Sequence, residues 1–286
     1  MTADATPLDT PLSVTDRLFF GRDGATLDQD TATRLTRDAL AASDDGELYL
    51  EYQESESISL DDGRIRSAGF DTTLGFGLRA VAGEATGYAH AGDLSEAALK
   101  RAAATVRTVA AGHAGTAAEP PRATNSRLYA DANPLTGMAF GKRTALLAEI
   151  DATARGRDPR VKQVMASITG SWQAVQIIRA DGHRVADLRP LVRLNVSVVV
   201  EQDGRRETGS HGCGGRFGYD RILDEAHWRG AVEEALRQAL VNWRSNRGRS
   251  GWFVGRNSKT RTSPAITHPF PRLQKIFLPL GSRLAK

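Results

Sequence analysis

Residues 47–92 read ELYLEYQESESISLDDGRIRSAGFDTTLGFGLRAVAGEATGYAHAG, and this stretch decides the fold. Apolar and polar residues alternate through Leu48, Leu50 and Tyr52, which is the period of a strand with one buried face. Asp62-Gly63 lies between two such runs and predicts a hairpin, because the turn requires positive φ angles. Further alternating runs, at residues 74–81 and 86–89, extend the pattern into an antiparallel meander.

The same arrangement recurs in the second half of the chain. Alternating runs predict a second set of strands at residues 161–168, 173–179, 184–187 and 193–202, with turns at Asp181-Gly182 and Asp203-Gly204. Apolar residues at helical spacing predict helices before and after each meander, at residues 31–42, 93–111, 142–154 and 225–241. The sequence therefore predicts an α+β fold of two lobes, each an antiparallel β-meander flanked by helices.

The order of these elements divides the chain into five segments. They are an N-terminal arm (1–30), a first helix-meander-helix lobe (31–113), a connector (114–139), a second helix-meander-helix lobe (140–242) and a basic atypical tail (243–286).

The tail differs in charge from everything before it. It contains ten of the 38 Lys and Arg residues and none of the 34 Asp and Glu residues, so residues 1–242 have a net charge of −6. It lacks sustained periodicity, and we expect it to be mobile. Nonspecific nucleic-acid binding by the tail is a weak hypothesis, because no recognition motif is present and the body is acidic.

Several features indicate the compartment. The start, MTADATPLDTPL, has neither the basic nor the apolar region of a signal peptide, and no apolar run approaches the ~18 residues of a membrane span. The single cysteine, Cys213, excludes an internal disulfide and fits a reducing compartment. By elimination, the sequence predicts a cytoplasmic protein.

A long ordered pattern resembles a known family. The runs ESESISLDDGRIRSAGF (54–70), GFGLRAVAGEATGYAHAGDLSEAAL (75–99), DPRVKQVMASITGSWQAVQIIRADG (158–182) and RPLVRLNVSVVVEQDGRRETGS (189–210) resemble the TldD/PmbA family, also called modulator of DNA gyrase. The resemblance is to the N-terminal part of the metallopeptidase subunit, TldD, and covers about residues 15–242.

The resemblance implies a zinc-dependent peptidase that works with a homologous metal-free partner. In the family, a PmbA-like (TldE-like) subunit pairs with the zinc subunit, and the two enclose a cavity where peptides or unfolded substrates are cut. The family's helix after residue 242 bears a His-Glu-x-x-x-His motif. Here His268, in Thr-His-Pro, is the only histidine of that segment. We therefore expect a truncated or frame-shifted chain, without zinc and without catalysis by itself.

His211 and Cys213 are the only close pair of soft metal ligands. A catalytic zinc needs about three protein ligands and an open water position. In an extended segment the two side chains would share a face, but two ligands make no closed site. A glycine-rich loop with an incidental thiol is the favoured interpretation, so we predict no catalytic, cofactor-binding or metal residues.

Other candidates have structural explanations as well. Gly212, Gly214 and Gly218 are spaced similarly to a nucleotide-binding loop but lie far from the next predicted helix. Arg79 and Arg193 lie within apolar strands, where a salt bridge is the simpler role and substrate binding the alternative. The remaining carboxylates are interpreted as solvated surface groups: Glu84, Glu207, Asp61-Asp62 and Glu233-Glu234.

Two function classes follow. The first is the N-terminal portion of a TldD-like zinc metallopeptidase, with a PmbA-like subunit or a second copy as partner and a peptide as substrate. The second is a non-catalytic interaction module or modulator of a partner protein. We expect no membrane partner and no specific nucleic-acid partner.

Overall fold

A computed structural model describes residues 10–108 and 131–245 of the chain. Its elements in chain order are α1 (Pro11–Phe19), α2 (Gln29–Leu40), β1 (Asp45–Asp61), β2 (Arg64–Ala82), β3 (Ala85–Ala91), α3 (Glu96–Arg107), α4 (Phe140–Arg157), β4 (Val161–Arg179), β5 (Arg184–Gln202), β6 (Arg205–Gly215), α5 (Asp220–Leu223) and α6 (Glu225–Ser245). The predicted N-terminal arm thus contains α1, and most of the predicted connector and tail lie outside the described residues.

The Asp-Gly pairs form tight turns between long strands. Asp62 and Gly63 have φ angles of 52° and 76° between β1 and β2, and Asp203 and Gly204 have 55° and 74° between β5 and β6. Two successive positive φ angles are those of a type I′ turn, whose twist matches that of the flanking strands. Gly182, at the turn between β4 and β5, has a φ of 87°. The turns predicted from sequence are therefore confirmed.

The two meanders are joined edge to edge in one sheet. The six strands have the order β3-β2-β1-β4-β5-β6, and all neighbours are antiparallel. The central pairing is between β1 and β4, from Glu47 opposite Arg179 to Asp61 opposite Met165. The α+β class and the two helix-flanked meanders are confirmed, and the sheet shared by both is an addition that the sequence did not reveal.

The strands are longer than the sequence indicates. The alternating pattern was identified through Leu48, Leu50 and Tyr52 and again just before Asp62-Gly63, and β1 runs without a break through the polar residues between these two runs. Likewise the predicted strands at 161–168 and 173–179 are both parts of β4. A polar run remains extended here because its alternate side chains face away from the core, so it buries little polar surface.

The helices cover one face of the sheet. The buried apolar side chains of β1 are at even-numbered positions, such as Leu48, Leu50, Ile58 and Leu60, and they pack with apolar residues of the helices. The first pair belongs to a cluster with α2 and α3, and the second pair to a cluster with α4 and α6. We call this the helix-covered face and the other, which the odd-numbered residues of β1, β4 and β5 line, the open face.

Side-chain caps mark the first residues of α2 and α3. Asp28 caps α2 by accepting a hydrogen bond from the Thr31 amide at 2.8 Å. Helix α3 begins at Glu96 and not at the predicted residue 93, because Ser95 is its N-cap: the Ser95 hydroxyl accepts from the Ala98 amide at 3.2 Å and donates to the Asp93 carboxylate at 2.8 Å. Helix α6 continues to Ser245, and Trp243 is buried against the core, so structure extends past the predicted boundary at 242.

Candidate binding surface

The open face bears a groove that spans strands of both meanders and is lined mainly by polar side chains. Serine, asparagine and arginine side chains line it together with Met165, in a volume of about 420 Å³. The lining comes from β1, β2, β4, β5 and β6 and includes Asp61, Arg66, Met165, Ser167, Arg193, Asn195, Ser197 and Ser210. Because side chains of one parity face the core, those of the other parity form this continuous exposed surface.

In this groove, Arg193 forms no ion pair with a carboxylate of residues 10–108 or 131–245. Its Nε donates to Asn195 Oδ1 at 2.7 Å, and Asn195 Nδ2 in turn donates to Ser167 Oγ at 3.4 Å. Arg66, by contrast, forms an ion pair with Asp61 at 2.8 Å. The prediction that Arg193 is salt-bridged thus finds no support within residues 10–108 and 131–245, and its alternative role in binding a ligand stays a prediction.

His211 and Cys213 lie in a strand and share a face. Both belong to β6, so the glycine-rich loop predicted for this segment is wrong. His211 lies opposite Val196 and Cys213 opposite Leu194, which places both on the helix-covered face. Cys213 packs against the core, and burial raises the pKa of its thiol. A thiol that resists ionisation is a poor zinc ligand and a poor nucleophile.

The residues that the structure describes do not fit a zinc ion. Within ranges 10–108 and 131–245, no group of three or more His, Cys, Asp or Glu residues is arranged to hold a metal. A zinc site requires three or four converging ligands. The metal chemistry implied by the family resemblance therefore has no ligand set in this part of the chain.

The glycines considered as a nucleotide-binding loop do not form one. Gly212 and Gly214 are extended residues of β6, and Gly218 precedes α5, a helix of four residues. A phosphate-binding loop requires glycines at the turn that leads directly into a helix. That this segment does not bind a nucleotide stays a prediction. The extended conformation of Gly212 and Gly214 supports it.

Arg79 is held by carboxylates at the end of the sheet. Its Nε donates to Glu47 at 2.7 Å and its Nη2 to Asp45 at 2.8 Å, while Arg179 also bonds Asp45, at 2.5 Å. The hydrogen bonds to Glu47 raise the pKa of the Arg79 guanidinium. Arg79 is thus salt-bridged, and this ion network joins β1, β2 and β4 at the end where β1 begins.

Most of the carboxylates that we interpreted as solvated have basic partners. Asp62 pairs with Arg155, Glu233 with Arg157 at 2.9 Å, and Glu207 with Arg205 at 2.7 Å. Glu234 accepts from Arg237 at 2.7 Å, and this hydrogen bond lowers the pKa of its carboxyl to about 2. These are surface ion pairs, each of small energetic value.

A buried polar cluster, which was not predicted from the sequence, lies between the two meanders. Arg143 of α4 donates to Glu56 of β1 at 3.0 Å and lies over the ring of Tyr219, with 5.2 Å between guanidinium carbon and ring centroid. Glu56 Oε1, Arg143 Nε and Tyr219 Oη have no hydrogen-bond partner among the described residues. Burial raises the pKa of the Glu56 carboxyl, against the opposing effect of the Arg143 charge.

A signal for this cluster was present in the sequence. Glu56 occupies an even-numbered position between Tyr52 and Ile58, which are both on the helix-covered face of β1. A carboxylate at an inward position requires a buried basic partner. Gly170 lies opposite Glu56 in β4, and a Cβ there would overlap Tyr219 Oη, so the glycine provides the space for the tyrosine.

Family comparisons match both meanders. Residues 46–110 match the PmbA/TldA metallopeptidase domain 1, and residues 133–242 match the PmbA/TldA metallopeptidase central domain. The chain belongs to the PmbA/TldD family. This confirms the resemblance seen in the sequence, and the two matched domains correspond to the two halves of the single sheet.

The chain spans less than half the length of its similar relatives in the PmbA/TldD family. It is 40% identical over 206 residues to the metalloprotease TldD homolog of Haemophilus influenzae, covering 70% of this chain and 43% of that protein. The TldD homolog of Buchnera aphidicola (subsp. Acyrthosiphon pisum) is 33% identical over 239 residues, or 79% and 48% of the two chains.

Solved structures share the fold at low sequence identity. TldE from Thermococcus kodakarensis superposes with a TM-score of 0.60 at 16% identity, over 73% of this chain and 47% of that one. A Bacteroides thetaiotaomicron protein, named as a candidate modulator of DNA gyrase, gives 0.56 at 14% identity, over 71% and 49%.

Within the described part of this family member, no helix is long and apolar enough to cross a membrane.

Proposed function

We propose that this chain forms the substrate- and partner-binding portion of a TldD-type peptidase that acts in the cytoplasm. Hydrolysis in this proposal depends on a zinc site that another polypeptide, and not this chain, contributes. The observation that supports it best is the combination of an uncovered, polar sheet face with the absence of a metal-ligand cluster in the described residues.

Exposed backbone at one edge of the sheet supports the partner-binding part of the proposal. β3 pairs only with residues 76–82 of β2, and residues 64–73 of β2 are exposed on both faces. Phe70, in this segment, has 61% of its surface exposed. A long exposed edge with a large apolar side chain is a site for pairing with another chain.

The test combines size with activity. The purified chain is run on a sizing column alone and with a TldE-type homologous subunit, and a casein or peptide cleavage assay is made on each sample. We expect a larger particle when the subunit is added, or concentration-dependent self-association without it, and no cleavage by the chain alone.

Three outcomes are distinct. Metal-dependent cleavage by the chain alone contradicts the proposal. A monomer that ignores the added subunit contradicts the pairing. A stable complex that never cleaves, even with zinc supplied, favours the alternative of a non-catalytic interaction module.

A further inference from the structure

The side chain of Arg193 is oriented by its neighbours on the open face. Its Nε donates to Asn195 Oδ1 at 2.7 Å, and Asn195 Nδ2 donates to Ser167 Oγ at 3.4 Å. Ser167, Asn195 and Gly212 lie opposite one another in β4, β5 and β6 and form a row across these strands. The bond to Asn195 therefore directs the guanidinium along β5 toward this row, although Arg193 is exposed.

Gly212 leaves the space that the guanidinium occupies. A Cβ at this glycine would be 2.7 Å from Arg193 Nη2 and 2.7 Å from Asn195 Oδ1, so a larger residue would displace both side chains. Asn195 uses the Nε of Arg193, and the two terminal nitrogens bond no acceptor within residues 10–108 and 131–245. Paired N–H donors at the end of a guanidinium match two oxygens of a phosphate or a carboxylate.

The groove beside this guanidinium has hydroxyl groups and room for a small molecule. Ser197 and Ser210 line it and lie opposite each other in β5 and β6. Each is two residues along its strand from Asn195 or Gly212, which is a distance of about 7 Å. The groove volume of about 420 Å³ lies within the range of small-molecule sites.

The carboxylate of the groove lies away from Arg193 and is neutralised. Asp61 accepts from Arg66 at 2.8 Å and from Gln163 at 2.7 Å. Asp61 belongs to β1 and Arg193 to β5, with β4 between them, so their strands are about 10 Å apart. An anion bound at Arg193 would thus gain the attraction of the guanidinium without close repulsion from Asp61.

We propose that this end of the groove binds the phosphate group of a small hydroxylated phosphate monoester. Arg193 donates from both terminal nitrogens to two phosphate oxygens, and the hydroxyls of Ser197 and Ser210 donate to a third. Phosphate is favoured over carboxylate because it has this third oxygen. The polar lining accommodates the hydroxylated remainder of the ligand. The inference goes beyond the proposed function, since it requires neither a peptide nor a partner subunit.

The first test uses glycerol 3-phosphate as the probe, with inorganic phosphate, acetate and glycerol for comparison. The Nε–H signal of Arg193 in the full chain, assigned by its loss in Arg193→Gln, is followed by NMR during each titration. Glycerol 3-phosphate should give a saturable shift at millimolar concentrations. Inorganic phosphate should bind more weakly because it lacks the hydroxylated part, acetate more weakly still, and glycerol should give no shift.

The second test uses variants, with the backbone amide signal of Ser210 as the readout. Arg193→Gln should weaken binding of glycerol 3-phosphate about tenfold, the size expected for loss of a hydrogen-bonded charge. Arg193→Lys should recover only part of this loss, because an ammonium lacks the planar pair of donors. Gly212→Ala should also weaken binding, because its Cβ displaces the guanidinium.

Two matched controls should bind as tightly as the unsubstituted chain. Arg64→Gln removes an exposed cation of β2 that is not among the groove-lining residues, and Gly69→Ala adds a Cβ that meets no atom within 4 Å. Arg193 and Gly212 are exposed as well, so their substitutions leave the core intact, and circular dichroism verifies this for every variant.

Several results would overturn the inference. They are a shift that stays linear in ligand concentration, equal affinity for the monoester and for inorganic phosphate or acetate, full binding by Arg193→Lys, and equal losses in Arg64→Gln and Arg193→Gln. Because the readout is binding of a small anion by the chain alone, its failure is distinct from a failure to pair with a TldE-type subunit or to support cleavage.

Discussion

Glu56 and Arg143 place opposite charges in a nearly dry interface. Their side chains are 10% and 6% exposed, and each retains a polar atom without a partner among the described residues. A buried ion pair gains Coulomb energy but loses the hydration of both groups, so its net contribution to stability is small or negative. The raised pKa of Glu56 has this cause.

The pH dependence of the stability of Glu56→Gln tests whether burial or the Arg143 charge has the larger effect on the Glu56 carboxyl. Because folding raises the pKa, the stabilising contribution of Glu56 is complete below the unfolded pKa of about 4.3 and is lost as the pH rises through the folded pKa. We expect the free energy of unfolding of Glu56→Gln, relative to the unsubstituted chain, to increase from about pH 4 to about pH 7. Urea unfolding across this pH range measures it.

Glu234→Gln is the control of opposite sign. Its hydrogen bond to Arg237 lowers the pKa to about 2, so its contribution is present at neutral pH and is lost as the pH falls through that value. For Glu234→Gln, the free energy of unfolding relative to the unsubstituted chain should therefore decrease as the pH rises. The same direction for Glu56→Gln would show that the Arg143 charge outweighs burial and would contradict the prediction.

At the scale of elements, the packing of α6 on β6 depends on one glycine. A Cβ at Gly209 would overlap backbone atoms of Ala235 and Ala239 in α6, and backbone cannot rotate away as a side chain can. The buried apolar residues of α6 pack into the core beside this contact: Trp228, Ala231, Val232, Ala235, Leu236, Ala239 and Trp243.

We expect Gly209→Ala to destabilise the fold by about 2 kcal/mol, because overpacking forces the helix away from the strand. Gly230→Ala, within α6 and with open space around its Cβ, should instead stabilise by about 0.5–1 kcal/mol through helix propensity. Chemical denaturation compares the two. Similar effects from both substitutions would mean that the close approach of α6 to β6 is absent in solution.

The elements differ in how well the sequence predicts them. Period-2 alternation and Asp-Gly turns are local properties, so the meanders and their turns could be predicted. The β1–β4 pairing could not, because it joins residues more than a hundred positions apart and depends on register along both strands. The Ser-His-Gly-Cys-Gly-Gly segment was misassigned because its glycines indicate a loop, whereas backbone pairing with β5 keeps it extended.

The same distinction applies to the candidate site. The side chains of Arg193 and His211 could be selected from sequence, but the faces they occupy follow from the strand register. The groove of the open face and the Glu56–Arg143 pair are products of tertiary packing, which no local pattern specifies.

At the scale of the whole molecule, one sheet carries two cores. Leu48 and Leu50 of β1 belong to one cluster and Ile58 and Leu60 to the other, and Ile178 and Ile168 of β4 are divided in the same way. Since both central strands are continuous through both clusters, neither core can unfold without loss of pairing in the other.

We therefore expect a single unfolding transition for residues 10–245. Leu99→Ala, in α3, and Leu147→Ala, in α4, remove fully buried side chains from different clusters, and each should lower the stability by about 2–4 kcal/mol. Both should shift the same transition when followed by far-ultraviolet circular dichroism and by tryptophan fluorescence. Separate transitions for the two substitutions would show that the halves unfold independently.

The central claim is that this chain binds and positions but does not itself supply the metal centre. Elemental analysis of zinc in the purified full chain, after dialysis against metal-free buffer, tests it most directly. We predict well under one zinc per chain, because no described ligand set exists and the His-Glu-x-x-x-His motif is missing from the sequence. One tightly bound zinc per chain, retained on dialysis, would contradict it.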